Sequence, residues 1–148
     1  MFRNVEMKAA NRRVFGLIIS ALFQAARDNG IRSYKDLENI TTAKLRALIT
    51  ALDEAYVIAF KKTGFVDEHP TDTMISKILM GIFGILPALD ANYIAAVRAL
   101  HRQLCEDCSL PPKTHTTHCL PTTLRDDRKL EFLLDFSRDE DLKAFLKT

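Results

Sequence analysis

The chain has 148 residues and a formal net charge of +2, a length that fits one domain large enough to bury its own core. Its 47% hydrophobic and 27% charged residues are ordinary for a globular protein, and the near-neutral net charge does not indicate a strong polyanion-binding field. The absence of tryptophan and the presence of only five glycines and five prolines favour helices over a turn-rich β architecture.

The first half of the chain predicts three helices. Apolar residues at three- and four-residue steps predict the first over about residues 4–28, and Asn29-Gly30 ends it because both tolerate the left-handed conformation. Ser33 to Asp36 has the pattern of a capping box and opens a short helix to about Asn39. Thr41-Thr42 then caps a helix that ends near residues 62–64. The apolar positions of the two long helices are Phe15, Ile18, Ile19, Leu22, Ala25, Ala26, Leu45, Leu48, Ile49, Leu52, Tyr56 and Phe60.

The next two predicted helices cover about residues 73–86 and 91–105. The first is apolar nearly all round, which is typical of a central buried element, and Gly81 and Gly84 suggest a close approach of another helix. Thr71 or Asp72 caps this helix, and Asp90 caps the following one. No apolar run is long enough to span a bilayer, since the best, Ile78 to Leu86, contains two glycines and is followed by proline.

The C-terminal part begins with an irregular segment, residues 109–123, rich in proline and threonine. Alternating apolar residues between Leu130 and Phe136 suggest a strand, but a lone strand has no partner, so we favour a helix over about residues 124–136. Ser137 to Glu140 has the capping-box pattern and predicts a last helix through Phe145 and Leu146.

These elements predict an all-α fold, a compact bundle of five to seven helices with an irregular His/Cys-rich loop near residues 105–123. Residues 1–148 form a single helical domain in this interpretation. Within it, a C-terminal subregion, residues 105–148, is tied down by the His/Cys cluster.

All three cysteines and three of the four histidines lie between residues 101 and 119. Thiolate and imidazole are ligands that zinc prefers. Cys105 and Cys108 form a Cys-x-x-Cys pair, and His115 and Cys119 supply a second pair. A tetrahedral Cys3His set leaves no position for water, so the predicted zinc site is structural.

Other interpretations of the cluster stay open. His118 or His101 can replace one of the four ligands. Alternatively, His101, Cys105 and Cys108, spaced i, i+4 and i+7, share one face of a helix. A zinc ion bound by these three residues would keep an open coordination position, as catalytic zinc sites do. Without metal, the cysteines act as small buried hydrophobes and the histidines are solvated. A disulfide becomes an option if the protein is exported.

Three cysteines cannot all pair within one chain, which favours a reducing compartment, and we expect a cytoplasmic protein. Arg12-Arg13 before the apolar run Val14 to Phe23 resembles a twin-arginine export signal. No small-x-small cleavage site follows it, so a helix that begins with arginines is preferred.

The sequence lacks serine nucleophile elbows, phosphate-binding glycine loops and His-Glu-x-x-His motifs, which disfavours an enzyme. We therefore expect a non-enzymatic regulatory or adaptor protein that binds another macromolecule, preferably a protein. One alternative is a small metal-dependent enzyme or nucleic-acid-processing factor that uses the His/Cys cluster. Another is a DNA-binding regulator with a helix-turn-helix-like unit at 33–64, in which Lys44 and Arg46 reach the DNA. The oligomeric state is left open.

Overall fold

Every regular element in the described residues, 5–62, 69–107 and 121–139 of a computed structural model, is an α-helix. The all-α prediction is confirmed for these residues, while most of the predicted His/Cys-rich loop and the last predicted helix lie outside them. None of the helices in these ranges is long and apolar enough to cross a membrane. The helices are α1 (Val5–Asp28), α2 (Tyr34–Glu38), α3 (Thr42–Lys62), α4 (Asp72–Phe83), α5 (Ala91–Asp107) and α6 (Asp127–Arg138).

The chain divides into two compact units, residues 1–71 and 72–148. The first contains α1, α2 and α3, and the second contains α4, α5 and α6. That the whole of residues 1–148 behaves as one helical domain stays a prediction.

In the first unit, α1 ends as the sequence predicts. Gly30 has a φ of 71°, a left-handed conformation that glycine adopts without strain. Its N–H donates to the carbonyl of Arg27 at 3.0 Å, and the N–H of Ile31 donates to the carbonyl of Ala26 at 2.9 Å. This pair of bonds is a Schellman motif, and Ile31 is buried beyond it.

The predicted caps of α2 and α3 are confirmed. Ser33 Oγ accepts from the N–H of Asp36 at 3.3 Å, and Asp36 Oδ2 accepts from the N–H of Ser33 at 2.8 Å. Asp36 also accepts from the N–H of Arg32, and this hydrogen bond is the largest of the contributions that lower the pKa of the Asp36 carboxyl. Thr41 Oγ1 accepts from the N–H of Lys44 at 3.3 Å and so caps α3.

Helix α1 packs on α3. Lys44 in the first turn of α3 lies beside Gly30, just beyond the end of α1, so the two helices run antiparallel. The Tyr56 and Phe60 rings of α3 stack with centroids 4.3 Å apart. The buried apolar residues of this unit are Val14, Ile18, Leu22, Ala26, Ile31, Ile40, Leu45, Leu48, Ile49, Leu52, Tyr56 and Ala59.

In the second unit, α4 ends at Phe83 rather than near Leu86. Gly84 has a φ of 67°, and its N–H donates to the carbonyl of Met80 at 3.0 Å, which makes it the residue that ends the helix. A Cβ at Gly81 or Gly84 would meet no described atom within 4 Å. The prediction that both glycines admit a neighbouring helix is therefore wrong for the described residues.

Two hydroxyls of α4 hold the backbone of Leu89 in the segment that follows. Thr73 Oγ1 donates to the Leu89 carbonyl at 2.7 Å, and Ser76 Oγ accepts from the Leu89 N–H at 2.8 Å. Both backbone groups of Leu89 are thereby satisfied away from water, and Ser76 is fully buried. Asp90 then caps α5, as predicted, by accepting from the N–H of Tyr93 at 3.1 Å.

Asp72 is the first residue of α4, and its carboxylate fixes the segment before α6. It accepts from Thr123 Oγ1 at 2.6 Å, from the Leu124 N–H at 3.1 Å and from Arg125 Nε at 3.0 Å. The three hydrogen bonds stabilise the charged carboxylate, and its negative charge in the first turn stabilises α4. The contact joins residues 51 to 53 positions apart in the chain.

Helix α6 confirms the choice of helix over strand. Asp126 caps it by accepting from the N–H groups of Arg128 and Lys129 at 2.9 and 3.2 Å. Ser137 lies inside α6 and donates to the carbonyl of Leu134 at 2.8 Å. Its predicted role as the N-cap of a further helix is therefore wrong.

Candidate functional site

A groove runs between α1 and α3 on the surface of the first unit. Its volume is about 390 Å³. Each helix contributes a stripe of residues that lies beside its buried stripe, except that Ala59 is itself buried. The lining residues are Leu17, Ala21, Gln24, Ala25, Asp28, Ala51, Glu54, Ala55, Ile58 and Ala59.

The groove exists because alanines occupy its floor. Ala21 and Ala25 are one turn apart on α1, and Ala51 and Ala55 are one turn apart on α3. A methyl side chain cannot fill the space between two packed helices as leucine would. The short side chains therefore leave a trough in which the helix backbones are open to close approach.

The walls at one end of the groove are apolar and exposed. Leu17 is 48% exposed and Ile58 is 55% exposed. Since α1 and α3 run antiparallel, these two residues lie towards the same end. Large aliphatic side chains that flank a depression are typical of surfaces that bind another molecule, whereas single scattered ones need no explanation.

Polar and acidic side chains also line the groove. Gln24 and Asp28 lie towards the end of α1, where Gln24 Nε2 donates to Asp28 Oδ1 at 2.8 Å, and Glu54 lies one turn before Ile58 on α3. Each carboxylate has more acceptor positions than this one bond uses. No lysine, arginine or histidine is among the described lining residues, so the charged side chains of this lining are all acidic.

Among the described lining residues, none is a nucleophile placed beside a base, the pairing that covalent catalysis requires. The shape and lining of the groove suit the capture of an amphipathic helix, whose apolar face enters such a trough between helices. Its volume also falls in the range of ordinary ligand sites, but an open trough with few convergent polar groups favours a macromolecule.

The predicted zinc ligands are placed only in part. His101 lies in α5 and is half-buried, and Cys105 lies one turn later in the same helix. The side chain of Cys105 and the whole of Cys108, His115, His118 and Cys119 lie outside the described residues. Among the residues that are described, no group of three or more His, Cys, Asp or Glu side chains comes together as a metal site. The zinc site stays a prediction.

The fourth histidine is separate from this cluster. His69 Nδ1 lies 3.3 Å from Asp53 Oδ2 in the first unit, and the histidine side chain is 70% exposed. An ion pair at this exposure contributes little to stability.

The helix-turn-helix interpretation of residues 33–64 gains no support. Helices α2 and α3 are indeed joined by a short turn, but α2 has only five residues. Lys44 is half-buried, and its Nζ lies 4.0 Å from a Cβ placed on Gly30. A lysine held at the negative end of α1 stabilises that helix and is poorly placed to project towards DNA.

The groove itself was not predicted from the sequence. The signal available was the i, i+4 repetition of alanine on α1 and α3 beside a single large aliphatic residue on each. Comparison of the chain with protein-family models, with curated proteins and with solved structures finds no match. Function is therefore inferred from the chemistry of the residues themselves.

Proposed function

We propose that this chain is a non-enzymatic regulatory or adaptor protein that binds a helix of another protein in the groove between α1 and α3. The observation that supports this proposal is the pairing of two half-exposed aliphatic walls, Leu17 and Ile58, with an alanine floor. A helix is the occupant because it is the element whose side chains enter a trough between two packed helices.

The exposed parts of the walls set the scale of the effect. Complete burial of a leucine or isoleucine side chain contributes roughly 1.5–3 kcal/mol. Leu17 and Ile58 each have about half of their surface left to bury, so each contributes about 1 kcal/mol on binding. Loss of both walls would weaken binding by roughly 30-fold, since each 1.4 kcal/mol corresponds to a factor of ten.

A site-specific cross-linking experiment tests the proposal. A photoreactive amino acid at Thr50, an exposed position of α3 one turn before Glu54 that leaves the alanine floor intact, would be activated in cells that express the chain, and the cross-linked protein would be identified and purified. Its affinity would then be measured by calorimetry for the wild type, for Ile58→Asp and for Ala55→Leu. The Ala55→Leu substitution fills the trough but keeps its lining apolar. Weaker binding by this variant would therefore show that the partner needs the open shape of the groove and not only its hydrophobicity.

We expect both variants to bind the purified partner at least ten-fold more weakly than the wild type does. The matched control is Ala95→Leu, which places the same side chain at an exposed position of α5 and should leave the affinity unchanged. Equal affinity of wild type and Ala55→Leu for every cross-linked protein would contradict the proposal.

We also propose that a structural zinc ion stabilises the protein through Cys105, Cys108, His115 and Cys119, with His118 and His101 as alternates. The clustering of these ligand types within residues 101–119 supports it. The odd number of cysteines supports a reducing, cytoplasmic location.

A further inference from the structure

Asn29-Gly30 is a chemically labile pair at the end of α1. The sequence has five asparagines, and Asn29 is the one that is followed by glycine. We propose that Asn29 is a site of spontaneous covalent modification, at which the side-chain amide is lost as ammonia and the new carboxylate weakens the end of α1. Neither the groove nor the zinc ligands take part in this reaction.

The reaction needs only the groups on either side of one peptide bond, and water. The backbone nitrogen of Gly30, after loss of its proton, forms a bond with Cγ of Asn29. The Cγ–Nδ2 bond breaks, and the amide nitrogen leaves as ammonia with the proton that Gly30 gave up. Water then opens the resulting cyclic imide. Opening at Cγ gives aspartate, and opening at the main-chain carbonyl carbon gives isoaspartate, in which the backbone runs through the side chain.

Glycine is the residue that favours this attack. It has no Cβ, so its nitrogen reaches Cγ of the asparagine without a clash, whereas a β-branched residue crowds the same approach. Gly30 is also exposed, so hydroxide has access to its N–H. The other asparagines precede valine, arginine, isoleucine and tyrosine, and the attack is slower there.

The folded helix end holds both reacting groups in other bonds. Asn29 Nδ2 donates to the Ala25 carbonyl at 2.8 Å, and the Gly30 N–H donates to the Arg27 carbonyl at 3.0 Å. The attack breaks both bonds, so it proceeds from an open state of the helix end. Such opening is local, because helix ends fray at a lower free energy than the core unfolds. The rate in the folded chain is therefore the rate in the open state multiplied by the fraction of time that the end is open.

Asn39 provides a nearly identical arrangement without the glycine. Its Nδ2 donates to the Lys35 carbonyl at 3.0 Å, and the N–H of Ile40 donates to the Leu37 carbonyl at 3.1 Å. Asn39 is exposed, whereas Asn29 is half-buried. Exposure alone would therefore favour reaction at Asn39, while the missing Cβ of the next residue favours reaction at Asn29.

Both products weaken the end of α1. A carboxylate cannot donate to the Ala25 carbonyl, and it adds a negative charge beside Asp28 at the negative end of the helix dipole. Lys44 lies next to Gly30 and offsets part of this charge. Isoaspartate also lengthens the backbone, so the N–H groups of Gly30 and Ile31 cannot both keep their acceptors.

Ageing of the purified chain tests the site. Fresh protein would be kept at mildly alkaline pH for weeks, once folded and once in urea. Trypsin cuts after lysine and arginine, so it places Asn29 and Asn39 in separate peptides, residues 28–32 and 36–44. Mass spectrometry would follow the conversion of each amide to an acid, and chromatography would separate the aspartate and isoaspartate forms.

We expect Asn29 to react at least about ten-fold faster than Asn39 in both states, and more slowly in the folded chain than in urea. A folded chain that keeps its Asn29 amide while the chain in urea loses it would overturn the proposal, since the helix end would then not open. Equal rates at Asn29 and Asn39 would overturn it as well.

The effect on stability is measured by urea unfolding. The midpoint of the aged folded chain should fall below that of fresh protein, whereas Asn29→Gln aged in parallel should keep its midpoint, because glutamine closes its larger ring more slowly. Asn29→Asp should lower the midpoint without ageing. Its matched control is Asn92→Asp, which makes the same change in the exposed first turn of α5, where a negative charge is favourable. An unchanged midpoint in both the aged chain and Asn29→Asp would contradict the weakening of α1.

Discussion

Removal of one hydroxyl from the second unit should destabilise it measurably. Ser76 is fully buried in α4, and its Oγ accepts from the N–H of Leu89 at 2.8 Å and donates to the carbonyl of Thr73 at 3.1 Å. The Ser76→Ala substitution leaves the Leu89 N–H without this acceptor at a residue that is only 1% exposed. An unsatisfied buried donor costs about 1–3 kcal/mol.

Alanine forms helices better than serine by a few tenths of a kcal/mol, so we expect a net loss of about 1–2 kcal/mol. Urea unfolding followed by circular dichroism would measure it as a lower midpoint at an unchanged slope. Ser137→Ala is the matched control, because Ser137 Oγ donates to a carbonyl within its own helix, and its cost should stay below about 0.5 kcal/mol. Equal stability of Ser76→Ala and the wild type would refute the role of this hydroxyl.

Three further perturbations follow from the second unit. Asp72→Ala removes the acceptor of three hydrogen bonds and should cost about 2 kcal/mol or more in urea unfolding, whereas Asp135→Ala, on the exposed side of α6, should not change the midpoint. Burial raises the pKa of Tyr93 to about 12 from 10.0. The protonated phenol therefore stabilises the fold below pH 10, and this contribution is lost as the pH rises towards about 12. Tyr93→Phe should flatten the fall of the urea midpoint over that range, and an unchanged fall would exclude Tyr93 as its source. Elemental analysis should find about one zinc ion per chain, and chelation or Cys105→Ser should lower the melting temperature; a zinc-free chain that melts at the same temperature would remove the metal from the account.

Much of the fold was predictable because its signals are local. The capping box of Ser33, the glycine at position 30 and the Asp90 cap act within one or two turns, so they can be identified from adjacent residues. The end of α4 was missed because Gly84 suits both a packed helix and a helix terminus, and only its φ of 67° separates them.

Contacts between distant residues were not predictable in the same way. Asp72 looks like an ordinary cap in the sequence, but its carboxylate binds Thr123 and Arg125 more than fifty positions away. The periodicity of apolar residues also predicts which face of a helix is buried, but it does not predict where the buried face ends. Ile19 was expected on the apolar face of α1, and it is 36% exposed.

The groove lies at such an edge, which is why the sequence did not reveal it. Ala25 and Ala26 look alike in a pattern of apolar residues, yet Ala26 is buried and Ala25 lines the groove. The difference depends on the side of α1 against which α3 packs, and this is a property of the assembled unit. The His/Cys cluster, by contrast, is evident in the sequence, while four of its six residues lie outside the described part of the chain.

Methyl NMR tests the role of the groove most directly. Alanine and isoleucine methyls would be labelled, and the chain would be titrated with an amphipathic helical peptide. The account predicts shifts confined to the groove, while methyls of the second unit, such as those of Ala88 and Ala95, stay still. Shifts that spare the groove and appear in the second unit would contradict it. The groove methyls are those of Ala21, Ala25, Ala51, Ala55, Ile58 and Ala59.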